Sequence, residues 1–190
     1  MVEALAVVFS ILSVWFTAKQ NIWCWPTGLI GVVLYFFVFR DAKLYSDAGL
    51  QVIYVFLQVY GWHHWLKGGL VTKELPVTTL TPFALGGFMG LTVFFTTAWG
   101  AFMHRFTTAS APVPDAFIVG ASLVAQYLLT RKKLESWIFW IAVDVVGVPL
   151  YFSKGLYVTA GLYLLFLVLA IGGFVEWRRS RNQLLEEVQA

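Results

Sequence analysis

Trp137, Trp140 and Asp144 stand at i, i+3 and i+7 inside one apolar stretch, a spacing that puts all three on one face of a helix. A carboxylate at the centre of a membrane helix costs roughly 2.5–3.5 kcal/mol on insertion scales, so it usually faces a polar cavity. Two indoles beside it suit a flat aromatic cation: the rings stack on it and add cation–π attraction, while Asp144 balances its charge. The competing reading is an aspartate bonded to a neighbouring helix, with the tryptophans as interfacial anchors. Gln51, Tyr54 and Gln58 repeat the spacing elsewhere. Their amides and phenol could bond ligand hydroxyls or a carboxamide, or bond between helices.

Asp115, Ser122 and Gln126 share a third face, with Asp115 at its outer boundary. Trp25, Gly28, Gly31 and Tyr35 occupy a fourth stretch, whose glycines allow close helix approach or leave room for a ligand, and Pro26 suits a helix start. Pro149 could support a kink. The run Gly61-Trp62-His63-His64-Trp65 reads as an aromatic belt at the membrane interface, and Gly86 with Gly90 as a small-residue pair for helix packing. Enzyme chemistry has little support. His63 and His64 are adjacent and cannot share a helix face, and the single Cys24 excludes a disulfide framework and a multi-cysteine metal site. No phosphate loop is present, so ATP-driven transport by this chain alone is disfavoured, and no cofactor or metal is expected.

The elements that must hold these residues are membrane helices. Of 190 residues, 59% are hydrophobic and 12% charged, with a mean hydropathy of +0.76, about half the charge of a soluble domain. The net charge of +3 comes from short basic clusters between apolar stretches, a topology signal rather than a nucleic-acid surface. Seven spans are expected: Glu3–Ala18, Ile22–Phe39, Ser46–Leu66, Leu80–Met103, Pro114–Thr130, Leu134–Phe152 and Tyr157–Trp177. The first reads as a span rather than a cleaved leader, for want of a basic start. Placing the C-terminus inside puts Lys19, Lys67, Lys73, Arg131, Lys132, Lys133, Arg178, Arg179 and Arg181 in the cytoplasm, leaving Arg40, Lys43, Arg105 and Lys154 outside. The basic bias therefore favours an outside N-terminus.

The chain also repeats itself. Leu44-Tyr45, Ala48-Gly49-Leu50, Gly61 and Trp65 recur 112 residues later as Leu156-Tyr157, Ala160-Gly161-Leu162, Gly173 and Trp177. Gly31, Leu34, Tyr35 and Phe36 match Gly147, Leu150, Tyr151 and Phe152 at 116, which would fit a longer outer loop near Arg40-Asp41 in the first copy. An offset of four spans keeps orientation, so the copies run parallel, as in transporters whose substrate site lies between repeats. The expected organisation is all-helical: residues 1–66 a first three-helix bundle, 67–111 a linker with the fourth span, 112–177 a second bundle, and 178–190 a cytoplasmic tail. An old duplication kept only for packing, in a membrane scaffold subunit, is the alternative.

The sequence resembles the Pnu family of vitamin transporters. The carriers of that resemblance are Asn21-Ile22-Trp23-Cys24-Trp25-Pro26, Leu44-Tyr45, Gly61-Trp62-His63-His64-Trp65, Arg131-Lys132 and Glu135-Ser136-Trp137-Ile138-Phe139-Trp140, the last similar to a WxxW signature. The resemblance implies a 3+1+3 SWEET-like arrangement of seven helices in a bacterial inner membrane, homotrimer assembly, and facilitated diffusion of an unphosphorylated vitamin that a cytoplasmic kinase then traps. Two departures matter. The family's nicotinamide riboside carriers have asparagine where Asp144 stands and where Gly31 stands, and Asp-bearing sequences resemble the thiamine-associated PnuT branch. Nicotinamide riboside and thiamine, both with a quaternary aromatic nitrogen, therefore remain as alternative substrates.

Overall fold

The computed structural model describes residues 2–41, 45–68, 75–107 and 111–189; Lys43, Leu44 and Lys73 lie outside them. Seven helices form among the described residues: α1 (Val2–Ala18), α2 (Cys24–Asp41), α3 (Tyr45–Leu66), α4 (Pro82–Phe106), α5 (Pro112–Thr130), α6 (Ser136–Ser153) and α7 (Tyr157–Gln189). Prolines start α4 and α5, where a missing N–H costs nothing, and Thr81 caps α4 by accepting a hydrogen bond from Ala84 N at 3.3 Å. α6 continues through Pro149, and α7 runs past the expected end at Trp177 as far as Gln189.

Five helices, α2 and α4 to α7, are long and apolar enough to cross a bilayer, fewer than the seven expected spans. α1 has 17 residues, at the lower limit for a span, and α3 is diluted by Gln51, Gln58, His63 and His64. Gln51 and Gln58 of α3 point inward, buried while Val52, Ile53 and Phe56 are exposed. That inverts the pattern of a soluble amphipathic helix. It suits a helix with lipid on one side and a polar interior on the other.

The two copies of the repeat superimpose in detail at an offset of 112. α1 and α5 end at Ala18 and Thr130, α2 and α6 at Asp41 and Ser153, and α3 and α7 begin at Tyr45 and Tyr157. The turn after α1 places Gln20 at φ 55°, and the turn after α5 places Lys132 at φ 51°, a left-handed conformation uncommon outside glycine. Asn21 N donates to Phe16 O at 2.9 Å, and Lys133 N to Leu128 O at 3.0 Å. The expected longer outer loop is therefore absent, because both the ends of α2 and α6 and the starts of α3 and α7 stand 112 apart. The 116-residue matches fall about one helical turn further on, which keeps them on the same face.

Within each copy the middle helix packs on both others, α1 on α2 on α3 and α5 on α6 on α7, and the copies meet through α1 with α7 and α3 with α5. α4 packs on α5. A Cβ added at Gly86 or Gly90 on α4 would meet nothing within 4 Å, so their expected role in helix packing is not exercised among the described residues.

Between α3 and α4, the segment Leu75–Thr81 lies across the α5–α6 turn. Thr78 N donates to Lys132 O at 3.2 Å, Leu134 N donates to Thr78 O at 2.9 Å, and Leu80 N donates to Glu135 Oε1 at 3.0 Å. Val77 is thereby buried among Trp25, Trp65, Trp137 and Trp177. At the opposite end, Lys154 and Asp115 form an ion pair at 3.3 Å between α6 and α5, in keeping with the boundary position expected of Asp115.

Candidate functional site

α6 buries Trp137 and Asp144, each at most 3% exposed, and leaves Trp140 partly exposed. The i, i+3, i+7 face therefore turns toward the interior, as the spacing required. Trp137 belongs to the tryptophan cluster, whereas Trp140 touches both that cluster and a second one made by α5 and α6. Asp144 lies one turn beyond Trp140. Among the described residues, Asp144 takes part in none of the ion pairs, so it is a buried carboxylate without a basic partner.

Facing elements bring further polar groups. Tyr54 on α3 donates from its hydroxyl to Ser122 Oγ on α5 at 2.6 Å, and Ser122 in turn donates to Val119 O at 3.0 Å. This chain bridges the two copies. Gln126, one turn along α5, is buried with its Nε2 amide unpartnered among the described residues, as are the indole N–H groups of Trp25 and Trp137. A buried donor without an acceptor costs about 1–3 kcal/mol. These three buried donors are free to bond oxygen atoms of a ligand that reached them.

Gln58 lies over Gly28, where a Cβ would strike its amide and approach Ser13 Oγ to 2.7 Å. The absence of a side chain at Gly28 is what admits Gln58. Gln51 is buried on the same face. Tyr35 stands apart: its ring stacks on Phe39 at 5.4 Å, and it belongs to neither cluster. Replacing Tyr54 with phenylalanine should remove the one hydroxyl link between α3 and α5 described here. We expect a loss of about 1 kcal/mol in stability, read as a lower melting temperature of the purified protein.

The sequence reading missed Tyr163 on α7. Tyr163 shares a side-chain hydrogen bond with Tyr151, lies within charge-interaction range of Tyr54 and Asp144, and packs its ring on Gly147. Its signal was present, since 112 residues separate Gln51 from Tyr163, so the repeat maps one site residue onto the other. Trp65 was expected in an interfacial belt; instead it is buried, 6% exposed, with its indole N–H donating to Leu129 O at 3.2 Å. A belt tryptophan keeps its N–H in the headgroup region, whereas this one is turned inward to the Leu129 carbonyl at the end of α5, which also accepts from Lys132 N at 2.9 Å. A cleft of about 390 Å³ lined by His64, Phe88, Tyr127, Arg131 and Lys133 opens among α3, α4 and α5 and does not include Asp144.

Five helices long and apolar enough to cross a bilayer define the class as a multi-pass, all-helical membrane protein. The comparisons with known proteins give the particular family. Residues 1–179 match the family described as nicotinamide mononucleotide transporter, and the chain belongs to that family. It is 28% identical to the riboflavin/roseoflavin transporter RibM of Streptomyces davaonensis, over 90% of this chain and 84% of that protein. It is 26% identical to the nicotinamide riboside transporter PnuC of Escherichia coli, over 96% of this chain and 87% of that one. The crystal structure of the vitamin B3 transporter PnuC matches with a TM-score of 0.77 at 27% identity, covering 96% of this chain and 82% of that one.

Proposed function

We propose that this protein mediates facilitated diffusion of an unphosphorylated, cationic B vitamin, with nicotinamide riboside as the substrate the relatives favour. The observation that carries this reading is Asp144, a buried carboxylate without a basic partner beside two indoles. It would balance a quaternary aromatic nitrogen, while Trp137 and Trp140 stack on the ring. A phosphorylated form would bring negative charge toward Asp144 with no lysine or arginine paired there to offset it. Thiamine is the second reading. With Gly31 and Asp144 where nicotinamide riboside carriers have side-chain amides, carboxamide and ribose recognition is weakened, and Asp144 suits a thiazolium or a protonated aminopyrimidine.

The matched triplets and the separate packing of α4 support a 3+1+3, SWEET-like parallel arrangement. Bundles at residues 1–66 and 112–177 would rock about the site, with 67–111 as linker and 178–190 as cytoplasmic tail. The basic residues support a bacterial inner-membrane protein with its N-terminus outside. The outward face of α4, with Phe83, Phe94 and Phe106 exposed, supports contact with lipid or with further copies in a homotrimer. Diffusion alone only equilibrates a vitamin, so accumulation would rely on a cytoplasmic kinase.

Uptake into proteoliposomes with neither ATP nor an ion gradient tests the reading. Labelled nicotinamide riboside or thiamine should equilibrate, and nicotinamide mononucleotide should lag well behind. Equal movement of the mononucleotide, or movement of riboflavin alone, would overturn it.

A further inference from the structure

The tryptophan cluster has a symmetry that the substrate site lacks. Trp65 on α3, in the first triplet, donates its indole N–H to Leu129 O on α5, in the second, at 3.2 Å. Trp177 on α7, in the second triplet, donates to Thr17 O on α1, in the first, at 3.0 Å. Donors and acceptors are each 112 residues apart, so the two bonds are one contact made twice in opposite directions. The Trp65 and Trp177 rings touch each other, centroids 5.9 Å apart. Behind them, Trp65 meets Trp25 edge-on at 5.3 Å and Trp177 meets Trp137 edge-on at 5.5 Å. The four rings form a continuous chain from one triplet to the other.

The position of the chain gives it a task. It lies where α1 and α5 end, beside Lys19, Lys67, Arg131 and Lys132, and Val77 packs into it from the strap across the α5–α6 turn. Separating the triplets at this end must break both indole bonds and part the rings. Each edge-on pair, Trp25 with Trp65 and Trp137 with Trp177, lies within one triplet and would travel with it.

We propose that Trp65 and Trp177 form a reciprocal latch: closed, it seals the basic end of the path between the triplets; released, it opens that end, each ring staying with the edge-on indole of its own triplet. Trp65 and Trp177 are positioning residues, holding the two triplets together through their paired indole bonds and their ring contact. The latch rests on the carrier reading of the triplets.

The protein holds its own reporter. Cys24, its single cysteine, is buried, 2% exposed, in the same cluster, so a thiol reagent reaches it when the latch parts. The experiment is the rate of Cys24 labelling by an impermeant maleimide in inside-out and right-side-out vesicles, for wild type, Trp65→Phe, Trp177→Phe and the double variant. Phenylalanine keeps a ring and removes the N–H. Loss of one hydrogen bond of ordinary strength should raise labelling about fivefold, and loss of both about 25-fold. The rise should appear only from the face bearing the basic residues.

Unchanged labelling in folded variants that still take up vitamin would overturn the latch. Should the variants fail to fold, wild type decides: Cys24 labelled from the opposite face, or never labelled while uptake proceeds, overturns it as well. If the variants raise labelling while wild type equilibrates no vitamin in proteoliposomes, the carrier reading fails and the latch stands as a hinge of another machine. Because labelling needs no substrate, the two failures are read separately.

Discussion

Asp144→Asn should leave the protein folded and change what it carries. The substitution keeps size and shape, removes the buried charge and supplies an amide in its place. If the carboxylate balances a cationic ring, its loss forfeits a charge-assisted contact of about 1.5–3 kcal/mol, or roughly 10- to 100-fold in affinity. Thiamine should lose most, having no carboxamide to benefit from the new group. Nicotinamide riboside should lose less, and uncharged riboflavin should be indifferent or improve. Competition uptake with the three vitamins reads the pattern, and melting temperature confirms that folding is intact. Transport of every substrate at the wild-type level would make Asp144 a structural residue and remove the carrying observation for the proposed function.

The second large effect is expected at two glycines. A Cβ on Gly173 would come within 2.5 Å of Trp137 Cη2 and Cζ2, and one on Gly61 would strike the ring of Trp25. Neither indole can retreat, because Trp177 and Trp65 stand against their edges. Gly173→Ala and Gly61→Ala should each destabilise by about 1–3 kcal/mol through overpacking. By tilting a site indole, Gly173→Ala should also lower uptake about tenfold or more. Gly172, next to Gly173, meets nothing within 4 Å, so Gly172→Ala should match wild type in melting and uptake. Equal behaviour of the neighbouring variants would show that Trp137 is free to move and that the cluster is less rigid than described.

Helix positions were legible because lipid demands long apolar runs, and six of the seven expected spans lie within three residues of the helices formed at both ends. α7 departed from expectation because its continuation past Trp177 depends on charged residues of good helix propensity, which a hydropathy reading discards. The inward face of α6 was legible from spacing alone, since one carboxylate in an apolar run fixes which side is polar. The role of Trp65 was not. Interfacial anchor and buried hydrogen-bond donor have the same composition, and only the carbonyl of Leu129, brought over from another helix, distinguishes them. Tyr163 was hidden for a related reason: its partners come from α3 and α6, and no spacing within α7 announces them. The false loop expected in the first copy arose because a shift of four residues is nearly silent on a helix.

α7 is one unbroken helix of 33 residues, about 50 Å long, and its last 12 residues, from Arg178 to Gln189, project about 18 Å beyond Trp177. That projection is a rigid handle on one triplet alone. A soluble marker domain spliced in helical register onto it would report the tilt of the second triplet as an angle, magnified by the length of the arm. A chain of 21.4 kDa would thus gain both the mass and the pointer needed to image the proposed rocking.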